Sequence, residues 1–165
     1  MSQLTLPLAG HCRCGEIHFR ISALPILTMA CHCSGCQRMS ASAYSLSAAI
    51  PARGFEVTRG EPVLGGLRDP ELRHFFCPSC MTWMFTRPPE AVAQFLPRFV
   101  NVRPTMLDDP SWCSPFVETW TKAKLPWVTT PAAYSYAEFP PVEDYPMLLA
   151  EFAKRQVWQP DHPAK

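Results

Sequence analysis

The residues most able to do chemistry in this sequence are its eight cysteines, seven of which fall into three short clusters. The clusters are Cys12-Arg-Cys14, Cys31-His-Cys33-Ser-Gly-Cys36 and Cys77-Pro-Ser-Cys80. A C-x-x-C loop can wrap around a metal ion so that both sulfurs reach it, and residues at i and i+2 of a strand point to one face. A structural zinc ion takes four tetrahedral ligands, with thiolate sulfurs about 2.3 Å from the metal. The clusters therefore predict zinc binding, and two short pairs complete one site.

The seven clustered cysteines divide into a set of four and a set of three. Four thiolates fill a zinc shell, whereas three leave one position open, as catalytic zinc sites do. Spacing alone permits two partitions. One joins the Cys12/Cys14 pair to the Cys77/Cys80 pair and leaves the middle cluster, Cys31, Cys33 and Cys36, as the open site; the other joins Cys12 and Cys14 to two members of the middle cluster. We favour the first, because three sulfurs within six residues can reach one ion and because a site shared by distant strands adds metal-binding free energy to folding.

Composition places the chain among single globular domains. It has 165 residues, of which 47% are hydrophobic and 18% charged, whereas disordered chains combine low hydrophobicity with high charge. A formal net charge of +1 argues against a dedicated binder of nucleic acid or of anionic membranes. No run of about 18 apolar residues predicts a membrane span, and residues 1–10 do not resemble a secretory signal. We therefore expect a cytoplasmic protein, in which clustered cysteines bind metal more often than they form disulfides.

The elements that must position these cysteines are predicted to be mainly strands. Ile17, Phe19 and Ile21 alternate with polar residues, which is typical of a half-buried strand. Further strands are predicted at 44–50, 55–58, 94–102 and 116–120, and segments 72–76 and 82–86 flank the third cysteine cluster like the arms of a hairpin. Residues 87–145 are rich in proline, which removes a backbone donor and disfavours helix in the residue before it, so short strands and ordered loops are expected there. The aromatic residues expected in the core are Trp83, Phe85, Trp120 and Trp127.

One helix is predicted near the C terminus, at residues 146–157. Pro146 suits the first turn of a helix, and Glu143 and Asp144 would lie at the positive end of its dipole. Leu148 and Phe152 form an apolar stripe at helical spacing, so this helix is expected to pack on a sheet. The whole chain, 1–165, is treated as one domain with its core at about 10–141.

Three segments together resemble a known family. Gly10-His-Cys-Arg-Cys-Gly-Glu-Ile-His-Phe19, Cys31-His-Cys-Ser-Gly-Cys36 and Phe76-Cys-Pro-Ser-Cys80 are similar, in this order, to the cysteine motifs of the glutathione-dependent formaldehyde-activating enzyme (GFA) family, which includes centromere protein V. Met106-Leu-Asp-Asp-Pro110 and Lys124-Leu-Pro-Trp-Val128 resemble later segments of that family. The likeness runs from about Gly10 to Pro141.

The resemblance implies a mainly β, tent-like fold of antiparallel sheets around two zinc sites. It implies that Cys12, Cys14, Cys77 and Cys80 hold a structural zinc ion and that Cys31, Cys33 and Cys36 hold the active-site zinc ion. It also implies a carbon–sulfur lyase or synthase that interconverts S-hydroxymethylglutathione with glutathione and formaldehyde. Zinc would hold the thiol substrate as a thiolate beside the one-carbon electrophile. Three thiolates leave zinc with a net charge of −1, which suits holding a soft sulfur better than activating water.

Two positions depart from the family pattern. Met81 follows Cys80 where the family commonly has glycine, and a residue with a side chain there must take another backbone conformation or bear strain. Gln37 follows Cys36 where a basic residue is common, although Arg38 comes next. Because glutathione carries two carboxylates, arginine is its natural partner, and Arg38 is the first candidate, with Arg53 and Arg73 as others.

Two further residues are expected to have ordinary structural roles. His32 lies between two ligands and could be a fourth ligand or a proton shuttle, but in a strand it would face away from them and bond to backbone. Cys113 stands alone and is expected to be an inert, buried thiol.

Other functions remain as alternatives. The main one is a non-enzymatic zinc module, with its middle cluster closed by a fourth protein ligand, that engages a protein partner. A thiol-redox protein using Cys77 and Cys80 is weaker, since the expected βαβ context is missing. The expected partner is a small thiol; no nucleic acid or membrane partner is expected, and assembly into a homo-oligomer stays open.

Overall fold

The computed structural model describes residues 5–66 and 72–155 of the chain. Within these residues, eleven strands form one three-stranded and one eight-stranded sheet, joined by two α-helices and several short 3-10 turns. The helices are α1 (Ser34–Ser40) and α2 (Tyr145–Lys154). The strands are β1 (Leu8–His11), β2 (His18–Ile21), β3 (Leu27–Cys31), β4 (Ser45–Pro51), β5 (Phe55–Arg59), β6 (Val63–Gly65), β7 (Arg73–Phe76), β8 (Trp83–Arg87), β9 (Phe99–Val102), β10 (Val117–Thr119) and β11 (Tyr134–Ser135).

The two sheets have the strand orders β1-β2-β5 and β11-β10-β3-β4-β9-β8-β7-β6. A mainly β fold with a C-terminal helix is thus confirmed. Most pairs are antiparallel, as expected, but β10 runs parallel to both β3 and β11. In the register of the large sheet, Cys31 at the end of β3 lies opposite Ser45 of β4 on one side and Thr119 of β10 on the other.

A hydrophobic core fills the space between the two sheets. Ile17, Phe19 and Ile21 from the region of β2 pack with Ile50 of β4 and Val102 of β9, and each is at most 2% exposed. The period-two pattern around β2 therefore reflects a strand with one face in this core.

Helix α2 covers the opposite face of the large sheet. Leu148 and Phe152, both almost fully buried, pack with Leu27, Ala49 and Val117 in a second core cluster. The predicted stripe at i and i+4 is the buried face, and Pro146 occupies the first turn. Residues 156 and 157 of the predicted helix lie outside the described residues.

Most predicted strands are present. The structure differs from the predictions in one strand, one helix and one aromatic residue. The strand predicted at 94–102 begins only at Phe99, because Glu90–Gln94 forms a 3-10 turn and Pro97 lacks the amide hydrogen that a strand needs. The helix α1, which carries Cys36, was not predicted. Trp127, expected in the core, is 73% exposed. No helix in the described part of the chain is long and apolar enough to cross a bilayer.

Candidate metal centres

The first cysteine cluster joins the turn after β1 to the hairpin between β7 and β8. The Sγ atoms of Cys12, Cys14, Cys77 and Cys80 all lie within 4.8 Å of one another. The Sγ atom of Cys14 is 3.5 Å from that of Cys12 and 3.7 Å from that of Cys77. Ligands about 2.3 Å from a tetrahedral zinc ion are about 3.8 Å apart. The donor set and its spacing therefore fit one zinc ion with a complete shell.

Two tight turns hold this cluster in place, and each contains a residue with positive φ. Gly15 has a φ of 75°, and its amide donates to the carbonyl of Cys12 at 3.0 Å. Met81 has a φ of 55°, and its amide donates to the carbonyl of Cys77 at 3.0 Å. Met81 therefore keeps the conformation that glycine favours, and the strain expected at this position is present.

The surroundings of the first cluster lower the pKa of Cys12 and Cys80 and raise the pKa of Cys14 and Cys77. The amide of Ile17 donates to Cys12 Sγ at 3.3 Å, and the Thr82 hydroxyl lies 3.1 Å from Cys80 Sγ. Burial opposes ionisation of Cys80, but the hydrogen bonds from the side chain and backbone of Thr82 lower the pKa of Cys80 to about 5. A thiolate is the form in which cysteine binds metal.

The second cluster consists of Cys31, Cys33 and Cys36, whose Sγ atoms also lie within 4.8 Å of one another. Cys31 ends β3, Cys33 caps α1 and Cys36 lies in its first turn, where its amide donates to Cys33 Sγ at 3.3 Å. No fourth cysteine, histidine or carboxylate joins this group within the described ranges. In this geometry the sulfurs lie together as a set of four and a set of three, which is the grouping of the favoured partition.

Two thiols of the second cluster, Cys31 and Cys36, differ in how readily they ionise. A hydrogen bond from Cys36 lowers the pKa of Cys31 to about 5, against the opposing effect of burial. The same hydrogen bond, together with burial, raises the pKa of Cys36. Thr119 and Ser45, which flank Cys31 in the sheet, also hydrogen-bond these thiols and favour their ionised forms.

A buried arginine that the sequence analysis missed lies beside the second cluster. Arg103 is 8% exposed, stacks on Trp83 with its guanidinium carbon 3.8 Å from the ring centre, and donates to the Leu46 carbonyl at 3.2 Å. No carboxylate pairs with it in the described part of the chain. Burial lowers its pKa to about 10, while negative charge on Cys36 and Cys31 acts to raise it. When these cysteines are ionised, their thiolates would be the anions that offset this cation.

A second missed residue, Glu118, holds His32. His32 is fully buried on the face of β3 opposite to Cys31, as expected, but its Nε2 atom lies 3.2 Å from the Glu118 carboxylate instead of bonding to backbone. Glu118 also accepts hydrogen bonds from Lys124, Thr130 and Ser135 at 2.6–2.7 Å. Burial would raise its pKa, but these donors lower it to about 2. His32 is thus a positioned neighbour of the cluster and not a fourth ligand.

The remaining candidate residues lie around the second cluster or away from it. Gln37 donates to the carbonyls of His32 at 2.7 Å and Ala123 at 2.9 Å, so it joins α1 to the loop after β10. Arg38 is exposed in the last turn of α1, and Arg53 and Arg73 are exposed elsewhere on the surface. Cys113 belongs to neither cluster, and burial raises the pKa of its thiol to about 12.

Sequence comparison agrees with this arrangement. The profile of the family described as glutathione-dependent formaldehyde-activating enzyme matches residues 7–123, which include all seven clustered cysteines and more than half of the chain. The chain belongs to the GFA family. Its two cysteine clusters are the candidate zinc sites of this GFA-family domain.

No curated protein matches the chain. The crystal structure of a Rhodobacter sphaeroides protein matches with a TM-score of 0.49 and 21% identity, covering 61% of this chain and 87% of that one. A likeness of this extent supports no conclusion about function.

Proposed function

We propose that this GFA-family protein is a zinc-dependent carbon–sulfur lyase and synthase. Its substrate would be a thiol–aldehyde adduct of the S-hydroxymethylglutathione type, or the adduct of a related thiol. The observation that carries the proposal is the difference between the clusters: one offers four sulfurs to an ion and the other offers three. A three-sulfur site leaves zinc one position for an external ligand.

The residues of the second cluster suit a sulfur ligand. Zinc held by Cys31, Cys33 and Cys36 would keep a substrate thiol ionised at neutral pH. In the synthase direction, a carbon–sulfur bond forms, the carbonyl becomes a hydroxyl, and the proton of the thiol ends on that oxygen; the lyase direction reverses each change.

Arg103 has a defined part in this site. Three thiolates and a Zn²⁺ ion carry a net charge of −1, and the buried guanidinium beside Cys31 and Cys36 brings the total to zero. This balance lowers the cost of burying the site and of admitting a further thiolate. Arg103 is thus proposed to act indirectly, by balancing the negative charge of the cluster.

Binding of the rest of a glutathione-type substrate is assigned to the surface around α1. Arg38 is exposed on this helix, two residues after Cys36, and is proposed to contact a glutathione carboxylate. The competing non-enzymatic role requires a closed middle cluster, and the described residues provide no fourth ligand.

The decisive experiment compares zinc content and turnover in three proteins. We expect wild type to hold two zinc ions and to accelerate equilibration of formaldehyde with glutathione or 2-mercaptoethanol, measured by NMR exchange spectroscopy. Cys31→Ser should hold one zinc ion, remain folded and lose the acceleration. Cys113→Ser, a cysteine outside both clusters, is the matched control and should behave as wild type. A wild-type protein with two zinc ions that neither binds a thiol nor changes the exchange rate would refute the lyase proposal.

A further inference from the structure

A cavity of about 510 Å³ lies on the same face of the large sheet as Cys31. Its floor is formed by β3, β4 and β9, and its walls by the 3-10 turn Glu90–Gln94, segment 139–142 and α2. Its size and apolar lining are those of a small-molecule site. No charged residue lines it in the described part of the chain; its polar side chains are Ser47, Asn101 and Tyr145.

The register of the sheet connects this cavity to the second cysteine cluster. Leu27, Met29 and Cys31 alternate along β3 and so share a face, and the first two line the cavity. On β4, Ser47 lies opposite Met29 in the cavity floor, and Ser45 lies opposite Cys31. Cys31 is therefore one pleat, about 7 Å along the strand, beyond the last β3 residue of the cavity.

The rim of the cavity is apolar and open to solvent. Phe95, Phe139 and Val142 line it, and they are 45%, 58% and 52% exposed. Phe139 also packs edge-on against Trp120, the residue after the β10 partner of Cys31. Clustered exposed aromatic and aliphatic side chains around a cavity mark a binding site more often than a plain surface.

The described lining disfavours the charged part of glutathione. That tripeptide has two carboxylates and an ammonium group, and burying a charge without a partner carries a large free-energy penalty. The cavity provides no ionic partner for any of them in the described ranges. The described lining therefore favours an uncharged, apolar occupant.

We infer that the cavity holds the body of the thiol substrate, and that this thiol carries an uncharged alkyl or aryl group. Its sulfur lies at Cys31, Cys33 and Cys36, and its apolar group lies over Met29 and Ala49. This inference rests on the proposed function and selects its related-thiol alternative, so the contact between Arg38 and a glutathione carboxylate does not apply to this substrate. The bonds made and broken are those of the proposed reaction.

The test measures binding of a homologous series to the protein carrying Co²⁺ in place of zinc. Butane-1-thiol, pentane-1-thiol and hexane-1-thiol are titrated by calorimetry and by the cobalt absorption spectrum, with hexan-1-ol and glutathione as further probes. We expect each added methylene to tighten binding about fourfold. The alkanethiols should change the cobalt spectrum, whereas hexan-1-ol should bind without changing it.

Two cavity-filling variants locate the binding. Ala49→Phe, in the floor, and Val92→Trp, in a surface turn that tolerates a larger residue, should each weaken hexane-1-thiol at least tenfold. Ala91→Phe, at an exposed neighbouring position outside the lining, is the matched control and should leave binding unchanged.

Three results would overturn the inference. The first is an affinity that does not depend on chain length, and the second is one that neither filling variant weakens. The third is methylene-dependent binding of thiols that never alters the cobalt spectrum, because the cavity would then be separate from the cluster. The glutathione arm distinguishes the two proposals: a cobalt response to glutathione without tighter binding of alkanethiols leaves the lyase proposal standing and removes this one.

Discussion

At the scale of single residues, the left-handed backbone at Met81 constrains the turn of the first cluster. This residue is 59% exposed and has a φ of 55°, so its side chain contributes little packing while its backbone is strained. A residue with a Cβ atom in this conformation costs roughly 1–2 kcal/mol. The turn that presents Cys77 and Cys80 therefore holds Met81, which lies between Cys80 and β8, in a backbone conformation that methionine disfavours.

Met81→Gly is expected to stabilise the zinc-loaded protein by about 1 kcal/mol, because glycine takes this conformation without strain. Urea unfolding measures the change. Met147→Gly, the same substitution in the regular helix α2, should instead destabilise by about 1 kcal/mol. Equal effects at the two positions would contradict the strain at Met81.

A second residue-scale prediction concerns the hydrogen bonds of Glu118. Glu118→Gln should lower the free energy of unfolding at pH 7 by about 2 kcal/mol, since a buried acceptor of four donors loses its charge. The pKa of Glu118 is about 2, below the value near 4.3 of an unfolded chain. Its contribution is thus complete above about pH 5 and is lost as the pH falls through 4.3 toward 2.

The difference in unfolding free energy between wild type and Glu118→Gln, measured from pH 8 to pH 3, shows this window. It should stay constant down to about pH 5 and then shrink. Glu56→Gln, at an exposed pair with Arg20, should cost less than 1 kcal/mol at every pH. A difference that grows with acidity would show that Glu118 is not the stabilising anion.

At the scale of elements, the first cysteine cluster links the β7–β8 hairpin to the turn after β1. Its sulfurs come from two turns that are 63 residues apart in sequence. Cys77→Ser should therefore remove a zinc ion and most of the cooperative unfolding transition, because metal-binding free energy is here folding free energy. Calorimetry and zinc analysis measure both, and Cys31→Ser is the comparison. A Cys77→Ser protein as stable as Cys31→Ser would contradict a structural role for this cluster.

Helix α2 is the other element whose packing is expected to stabilise the fold. Leu148→Ala should cost about 3 kcal/mol, because Leu148 is fully buried against the large sheet. Met147→Ala, at a neighbouring exposed position, should cost less than 0.5 kcal/mol. Chemical denaturation of both variants measures the contrast; similar costs would mean that α2 does not pack as described.

Local sequence pattern predicted some of these elements and not others, for physical reasons. Strand β2 (His18–Ile21) was visible because one face is buried and the other solvated. Leu27–Cys31 was missed because β3 is covered on both faces, so its residues do not alternate in polarity. The helix α1 is only seven residues long and contains neither an apolar stripe nor a fully buried residue.

At the scale of the whole molecule, the sequence could reveal the metal ligands but not the residues around them. Closely spaced cysteines can be recognised as candidate metal ligands from the sequence alone. Arg103 and Glu118 become significant only through contacts with Leu46 and His32, which are 57 and 86 residues away. Such pairs are made by the order of strands in the large sheet, which no local pattern contains.

The sequence separations of the two clusters also allow an order of assembly. Cys31, Cys33 and Cys36 leave the ribosome within six residues of one another, so their site can close while the rest of the chain is still being made. Cys12 and Cys14 must wait for Cys77 and Cys80, and closing that longer loop costs more chain entropy. During synthesis, the site that we propose to be catalytic can receive metal before the site that holds the fold together.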